Sequence, residues 1–188
     1  MSNLKYIQVT DAGVLSGYFE KNGLYDLYDL CFSVAPYFED IPVDTVRSSF
    51  EQFRAEGVLF LCFDDEIIVG FSGAIPLSCQ KDVYGIVKDH ITDADKYWYH
   101  SEIGTHPEYR GKGIASTLLK NMLVKAPSQC VVMRTNEGNE GSMALHRKFG
   151  FKMLTFSDET PITQEVFVSR KSGELMPDTR IFMTCEKP

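Results

Sequence analysis

"YWYHSEIGTHPEYRGKGIASTLL", Tyr97 to Leu119, decides the architecture. Tyr97 to Thr105 reads as a strand rich in aromatics. After His106 to Arg110 come two glycines around a lysine, and then an amphipathic run. Ile114, Leu118 and Met122 share one stripe, with Ala115 and Leu119 beside it. A helix is expected from Gly111 to Lys125. Lys120 and Lys125 favour its C-terminal end, and Pro127 prevents continuation. Gln129 to Thr135 reads as the next strand, so strand, helix and strand form one parallel crossover.

Upstream, Lys5 to Val9 reads as a first strand. Asp11 to Ala35 carries helical periodicity broken near Asn22-Gly23, which predicts two short helices. Asp44 to Glu56 is a helix with Val46, Phe50 and Phe53 in one stripe, Asp44 placed to cap it and Gly57 to end it. Two apolar runs flank Asp64-Asp65-Glu66, an antiparallel hairpin whose continuous apolar character says that both faces are covered. Ser78 to Lys96 reads as a loop or short helical insertion. Downstream, Ser142 to Phe149 is a helix capped by Asn139 or Glu140 and stopped by Gly150. Strands follow at Phe151 to Phe156, Glu165 to Ser169 and Thr179 to Cys185, the last two joined through Lys171-Ser172-Gly173. This order predicts an α+β fold: a mixed, mostly antiparallel sheet of about six to seven strands flanked by helices, with one parallel β-α-β crossover.

The 188 residues suit one domain, taken as 1–188. The chain is 44% hydrophobic and 24% charged, a globular composition, and no apolar run approaches the ~20 residues that cross a bilayer. The start carries no basic region followed by an apolar core, so no signal peptide is expected. A net charge of −7 argues against nucleic acid as the main partner. Cys31, Cys62, Cys79, Cys130 and Cys185 are scattered without metal spacing. They read as reduced, mostly buried thiols of a cytoplasmic protein, and no metal site is expected.

The first amides of the helix near Gly111 lack internal partners, and the helix dipole puts partial positive charge there. Glycines let those amides approach a ligand, and Arg110 and Lys112 add charge, so the stretch reads as an anion site for phosphate. A nucleotide P-loop would need G-x-x-x-x-G-K-[ST], which does not occur. A dinucleotide turn would need a third glycine where Ser116 stands, directly after a first strand. Arg134, not an acid, ends the next strand, which suits only a 2′-phosphate. The simplest alternative is a pair of glycines that merely turn a strand into a helix.

Arg110-Gly111-Lys112-Gly113-Ile114-Ala115 resembles the [Q/R]-x-x-G-x-[G/A] loop of the GCN5-related N-acetyltransferase (GNAT) family. A second block, Asn139-Glu140-Gly141-Ser142-Met143-Ala144-Leu145-His146 followed by Gly150-Phe151, resembles the family's N-x-x-[A/S]-x-x-L-Y…G-F block. Close motif coverage runs from about Tyr97 to Phe151. The resemblance implies acetyl-CoA as co-substrate, with its pyrophosphate on the amides of Arg110, Gly111, Lys112, Gly113, Ile114, Ala115 and Ser116. It implies a pantetheine arm bonded to the main chain of Ile103, Gly104 and Thr105, with Gly104 marking a bulge that opens the gap. Asn139 would cap its helix and touch the cofactor.

Acetyl transfer to an amine needs a base to remove the amine's proton. His100 and Glu102 lie two apart, so both are expected on one sheet face as candidate bases. His146 stands where the family most often has tyrosine. It would protonate the departing thiolate, hydrogen-bond the sulfur, or simply pack beside the pantetheine. His106 and Pro107 read as loop scaffold, and His90 as a surface histidine. Asp82, Asp89, Asp93 and Asp95 with Tyr84, Tyr97, Trp98 and Tyr99 would make either an acceptor lid for a cationic amine or a solvated loop with half-buried strand aromatics; the loop is the preferred reading. By resemblance, Val14 to Val34 form the opposite wall of the acceptor cleft. The expected activity is direct transfer from acetyl-CoA to a primary amine of a small molecule or peptide, by a monomer or homodimer. Two other classes stay open: a CoA-binding regulatory module without turnover, and an NADP-dependent oxidoreductase.

Overall fold

The computed structural model describes residues 3–128 and 130–186; Gln129, the expected start of a strand, lies outside them. Strand β1 (Leu4–Gln8) is followed by helices α1 (Ala12–Lys21), α2 (Leu24–Phe32) and α3 (Val43–Glu56). The break between α1 and α2 falls at Gly23, which takes φ 68°. Asp11, not a residue of the helix itself, caps α1 by accepting from Val14 N. The expected cap of α3 is corrected: Pro42 occupies that position, and Asp44 lies in the first turn, where its charge suits the dipole.

Strands β2 (Val58–Asp64) and β3 (Ile67–Pro76) form the expected hairpin, with Asp65 at φ 53° in its turn. Their unbroken apolar character has a simple cause. Leu59, Leu61 and Phe63 fill one core with α1–α3, while Val58, Phe60 and Cys62 fill a second core on the other face. The insertion after β3 holds one short helix, α4 (Lys81–Val87), within turns. Then come β4 (Tyr97–Thr105), α5 (Ile114–Lys125), β5 (Cys130–Asn136) and α6 (Glu140–Lys148). Helix α5 begins three residues later than expected, because Gly111 and Gly113 both take positive φ and Gly113 forms its N-cap.

The chain ends in β6 (Lys152–Met153), β7 (Thr163–Ser169) and β8 (Leu175–Glu186). The strand expected from Phe151 to Phe156 shrinks to two residues: on the edge of β8 away from β5, β7 already covers Leu175 to Ile181, and β6 pairs only beyond it, with Met183 and Thr184. The eight strands form one sheet in the order β1-β2-β3-β4-β5-β8-β6, with β7 also on β8. All pairs are antiparallel except β4–β5. Phe71 anchors the first core, with the rings of Tyr28, Phe32 and Phe50 around it. All five cysteines are free thiols. No helix among the described residues is long and apolar enough to cross a membrane.

Candidate active site

The crossover makes a fork. Parallel pairing joins Tyr97–His100 of β4 to Cys130–Met133 of β5, and beyond these no β4–β5 pair is made among the described residues. Past the fork, β4 stays on β3 through Glu102 to Thr105, and β5 stays on β8 through Asn136. A cleft of about 540 Å³ opens there, within the range of small-molecule sites. His100, Glu102, Ile103, Gly104, Thr105, Arg110, Gly111, Gly113, Ile114, Ala115, Ser116, Asn139 and His146 all line it. Lys112 does not. Its Nζ lies 4.1 Å from the centre of the Tyr109 ring.

At the cleft's edge, His106 Nδ1 accepts from Glu108 N and starts a tight turn over Pro107–Tyr109, the scaffold expected of it. Tyr109 O–H donates to Asp64 across 2.9 Å, which pins that turn to the β2–β3 hairpin. The first hydrogen bond within α5 runs from Thr117 N to Gly113 O. The amides of Ile114, Ala115 and Ser116 therefore have no partner inside the helix, and all three residues line the cleft. With Arg110 beside them they can hold a pyrophosphate.

The bulge sits elsewhere than expected. Gly73 pairs with Glu102 but Ala74 with His100, so Ser101 is the extra residue on β4. Gly104 is required for a different reason: a Cβ there would lie 2.3 Å from the Phe71 ring and 3.0 Å from Cys31 Sγ. The bulge also corrects the shared face of His100 and Glu102. One inserted residue breaks the alternation and sends the two side chains to opposite sides of the sheet.

On the α5–α6 side, His100 is 3% exposed and His146 fully buried. His146 Nδ1 lies 2.8 Å from the Ser142 carbonyl, which only accepts, so Nδ1 carries the proton. His146 Nε2 is then a lone pair, and His100 Nδ1–H donates to it across 3.0 Å. His100 Nε2 in turn accepts from Ser72 O–H at 2.9 Å. Burial pushes His146 down to about 4, and burial with the His146 neighbour holds His100 well below the usual imidazole range. Both rings are thus neutral, and each nitrogen is occupied.

On the other face Glu102 is half-buried near Tyr28 and Tyr99. Burial, helped by the Glu39 carboxylate, pushes it up to about 8 against the pull of Arg134 and Arg180. The opposing wall is corrected: it is the last turn of α2 (Cys31, Phe32) and the loop after it (Ala35 to Tyr37), with nothing from α1. Tyr37, which no motif signalled, bonds Thr135 Oγ1 at 2.8 Å and accepts from Asn139 Nδ2 at 2.9 Å. Asn139 Oδ1 meanwhile caps α6 through Ser142 N. Cys31 Sγ donates to Thr105 O at 3.6 Å, and burial pushes its thiol up to about 11, too high for a nucleophile at neutral pH. None of Ser78 to Tyr99 lines the cleft. Tyr97 and Tyr99 are core residues, Tyr84 bonds Asp95, and His90 meets Phe156 edge to face.

Several solved structures share this fold. The ribosomal-protein-S18-alanine N-acetyltransferase of Escherichia coli is 12% identical, with a TM-score of 0.62 over 97% of this chain and 93% of its own. The ribosomal-protein-alanine N-acetyltransferase of Brucella melitensis is 15% identical, with a TM-score of 0.62 over 96% and 99%. The protein yncA of Salmonella typhimurium, solved with its cofactor acetyl-CoA, is 14% identical, with a TM-score of 0.64 over 100% and 95%. No curated protein matches the sequence significantly. The family described as acetyltransferase (GNAT) matches residues 21–151, which contain both sequence blocks, the fork and the cleft, and the chain belongs to this family of acetyl-CoA-using enzymes.

Proposed function

We propose that the chain is an N-acetyltransferase that moves the acetyl group of acetyl-CoA to a primary amine of a small molecule or peptide, directly, within a ternary complex. The single observation that carries this reading is the position of Glu102. It is the carboxyl that lines the cleft at the mouth of the fork, with its proton affinity raised to about 8, close to where an amine base must work. Glu102 takes the amine's proton. The free amides at the start of α5, with Arg110, hold the pyrophosphate, and the exposed edge of β4 at Ile103, Gly104 and Thr105 takes the pantetheine arm. The backbone N–H groups at the Ser101 bulge suit an oxyanion.

His100 and His146 enter differently from the sequence expectation. Neither ring offers a free lone pair or a free proton toward the cleft, so their part is to hold the bulge in place. Cys31, the cysteine that lines the cleft, supports direct transfer by its raised proton affinity. The reading places one domain over 1–188 in the cytoplasm, with no nucleic acid and no membrane partner.

The test has two arms. Acetyl-CoA at 100 times its dissociation constant should stabilise the protein by about 2.7 kcal/mol. A panel of polyamines, amino acids, aminoglycosides and peptide N-termini should yield steady, amine-dependent thiol release. No stabilisation at millimolar acetyl-CoA overturns the reading. Stabilisation without thiol release from any amine points instead to a CoA-binding module, which the occupied nitrogens of His146 favour.

A further inference from the structure

We propose that Arg134 selects the acceptor, by binding an anionic group, carboxylate or phosphate, on the small molecule whose amine lies at Glu102. The inference rests on the amine-acetylating reading above and names the class of acceptor.

The fork sets the geometry. The last β4–β5 pair is His100 with Met133, and both side chains point to the α5–α6 face. Arg134 is therefore on the opposite face, near Tyr99. The Ser101 bulge brings Glu102 to that same face. Glu102 and Arg134 are thus the first side chains past the fork on one side of the cleft, one from each prong. Each feels the other's charge. Yet Arg134 makes its ion pair with Asp82, and among the described residues it makes none with Glu102. Both line the one cleft, so a ligand lying in it can reach both.

The guanidinium is held from behind. Nη1 donates to Asp82 Oδ2 at 2.9 Å and to Gln164 Oε1 at 2.6 Å. Among the described residues, Nε and Nη2 have no hydrogen-bond partner and neither is a buried unpaired atom, and Arg134 lines the cleft. Two parallel N–H groups on a fixed plane match a carboxylate or phosphate. The other charges do not fill this role. Arg110 lies at the loop end, while Arg180 is taken by Glu39 and Asp178. Asp82 opposes an anion, but its side chain is 46% exposed, which screens it. A carboxyl that takes an amine's proton and a guanidinium in the same cleft are complementary to a molecule with both amine and anion.

The test compares kcat/KM, by thiol release, for three acceptor types of matched chain length: amino acids, the corresponding alkylamines without carboxylate, and aminoalkyl phosphates. The wild type should favour an anionic acceptor over its alkylamine by about tenfold or more, the worth of a charged hydrogen-bond pair. The better of the two anions identifies the source. Arg134→Gln should abolish the preference: the ratio of kcat/KM for the anionic acceptor to that for its alkylamine should fall to about one, read as a ratio because Arg134 also lowers the proton affinity of Glu102. Arg134→Lys, which keeps the charge but loses the fork, should keep part of it. Asp82→Asn should retain or increase it. Equal use of alkylamine and anionic acceptor by the wild type, or a preference that survives Arg134→Gln, overturns the proposal while leaving acetyl transfer intact. Absence of thiol release from every amine removes the underlying reading instead, and this proposal with it.

Discussion

His100 donates Nδ1–H to His146 Nε2 across 3.0 Å, and the Ser142 carbonyl at the far end of the chain of bonds sets that proton's place. A proton added to this pair would put a charge in a buried site, even where the Ser72 hydroxyl turns to accept it. The folded state keeps His146 neutral down to about pH 4, whereas an unfolded histidine takes its proton near 6.5. Between these values the unfolded chain binds more protons, so stability is full above about 6.5 and is lost as pH falls toward 4. His100 acts in the same direction. Urea unfolding from pH 7.5 to 4.5 should show a falling midpoint, and a double variant, His100→Leu with His146→Leu, should flatten that fall. An equal slope in both proteins would show that other groups cause it.

Glu102 has the opposite linkage and a chemical role. Its folded value of about 8 exceeds the ordinary 4.5, so the folded protein holds this proton longer. Without ligand, its contribution to stability therefore declines as pH rises from 4.5 through 8. As a base it must be ionised, so kcat/KM should rise with pH through about 8. Glu102→Gln should lower turnover about 10²–10⁴-fold and remove that limb, with acetyl-CoA affinity nearly unchanged. A variant with full activity and an unaltered pH profile would return the base role to a group outside the described contacts.

Tyr37 ties the loop after α2 to the far prong of the fork. Tyr37→Phe removes the bonds to Thr135 and Asn139 but keeps the ring against Phe32 and under the Arg180 guanidinium. The expected loss of stability is about 1 kcal/mol. Asn139 also caps α6, so a loosened loop should raise the KM for acetyl-CoA and acceptor more than it lowers kcat. Unchanged KM values would reduce Tyr37 to packing.

What could be read from the sequence follows a physical division. Periodicity is local, so the run from Val58 to Phe63 showed two covered faces, and the strand from Tyr97 to Thr105 has the expected ends. The loop and the second block were legible because a phosphate-holding helix start needs glycines at set positions. The Ser101 bulge was not, because it exists only in the register against Gly73 and Ala74. That one residue decided which face Glu102 occupies, and so which of the two candidate bases stands apart from the histidine pair. The histidine pair spans 46 residues and Tyr37 lies 102 from Asn139, so no local pattern joins them. Arg134 was visible only as a strand-end arginine that could suit a 2′-phosphate; its place across the fork from Glu102 appears only in the fold.

Two glycines of one stretch should fail in different ways. Gly104 has an ordinary φ, but its Cβ would strike Phe71, the centre of the first core. Gly104→Ala should therefore cost about 1–3 kcal/mol of stability by overpacking. Phe71→Leu in the same chain should recover part of that cost, a coupling between neighbours that a double-mutant cycle measures. Gly113 has φ 83°, and a Cβ there would meet nothing within 4 Å. Gly113→Ala should cost about 1–2 kcal/mol through backbone strain alone. Any relaxation to negative φ turns the first amides of α5 away from the cleft. Urea midpoints and acetyl-CoA titrations should separate the two: stability falls in both variants, but the per-kcal loss of acetyl-CoA affinity is far larger for Gly113→Ala. Unchanged acetyl-CoA affinity in Gly113→Ala would mean that the α5 amides do not hold the pyrophosphate.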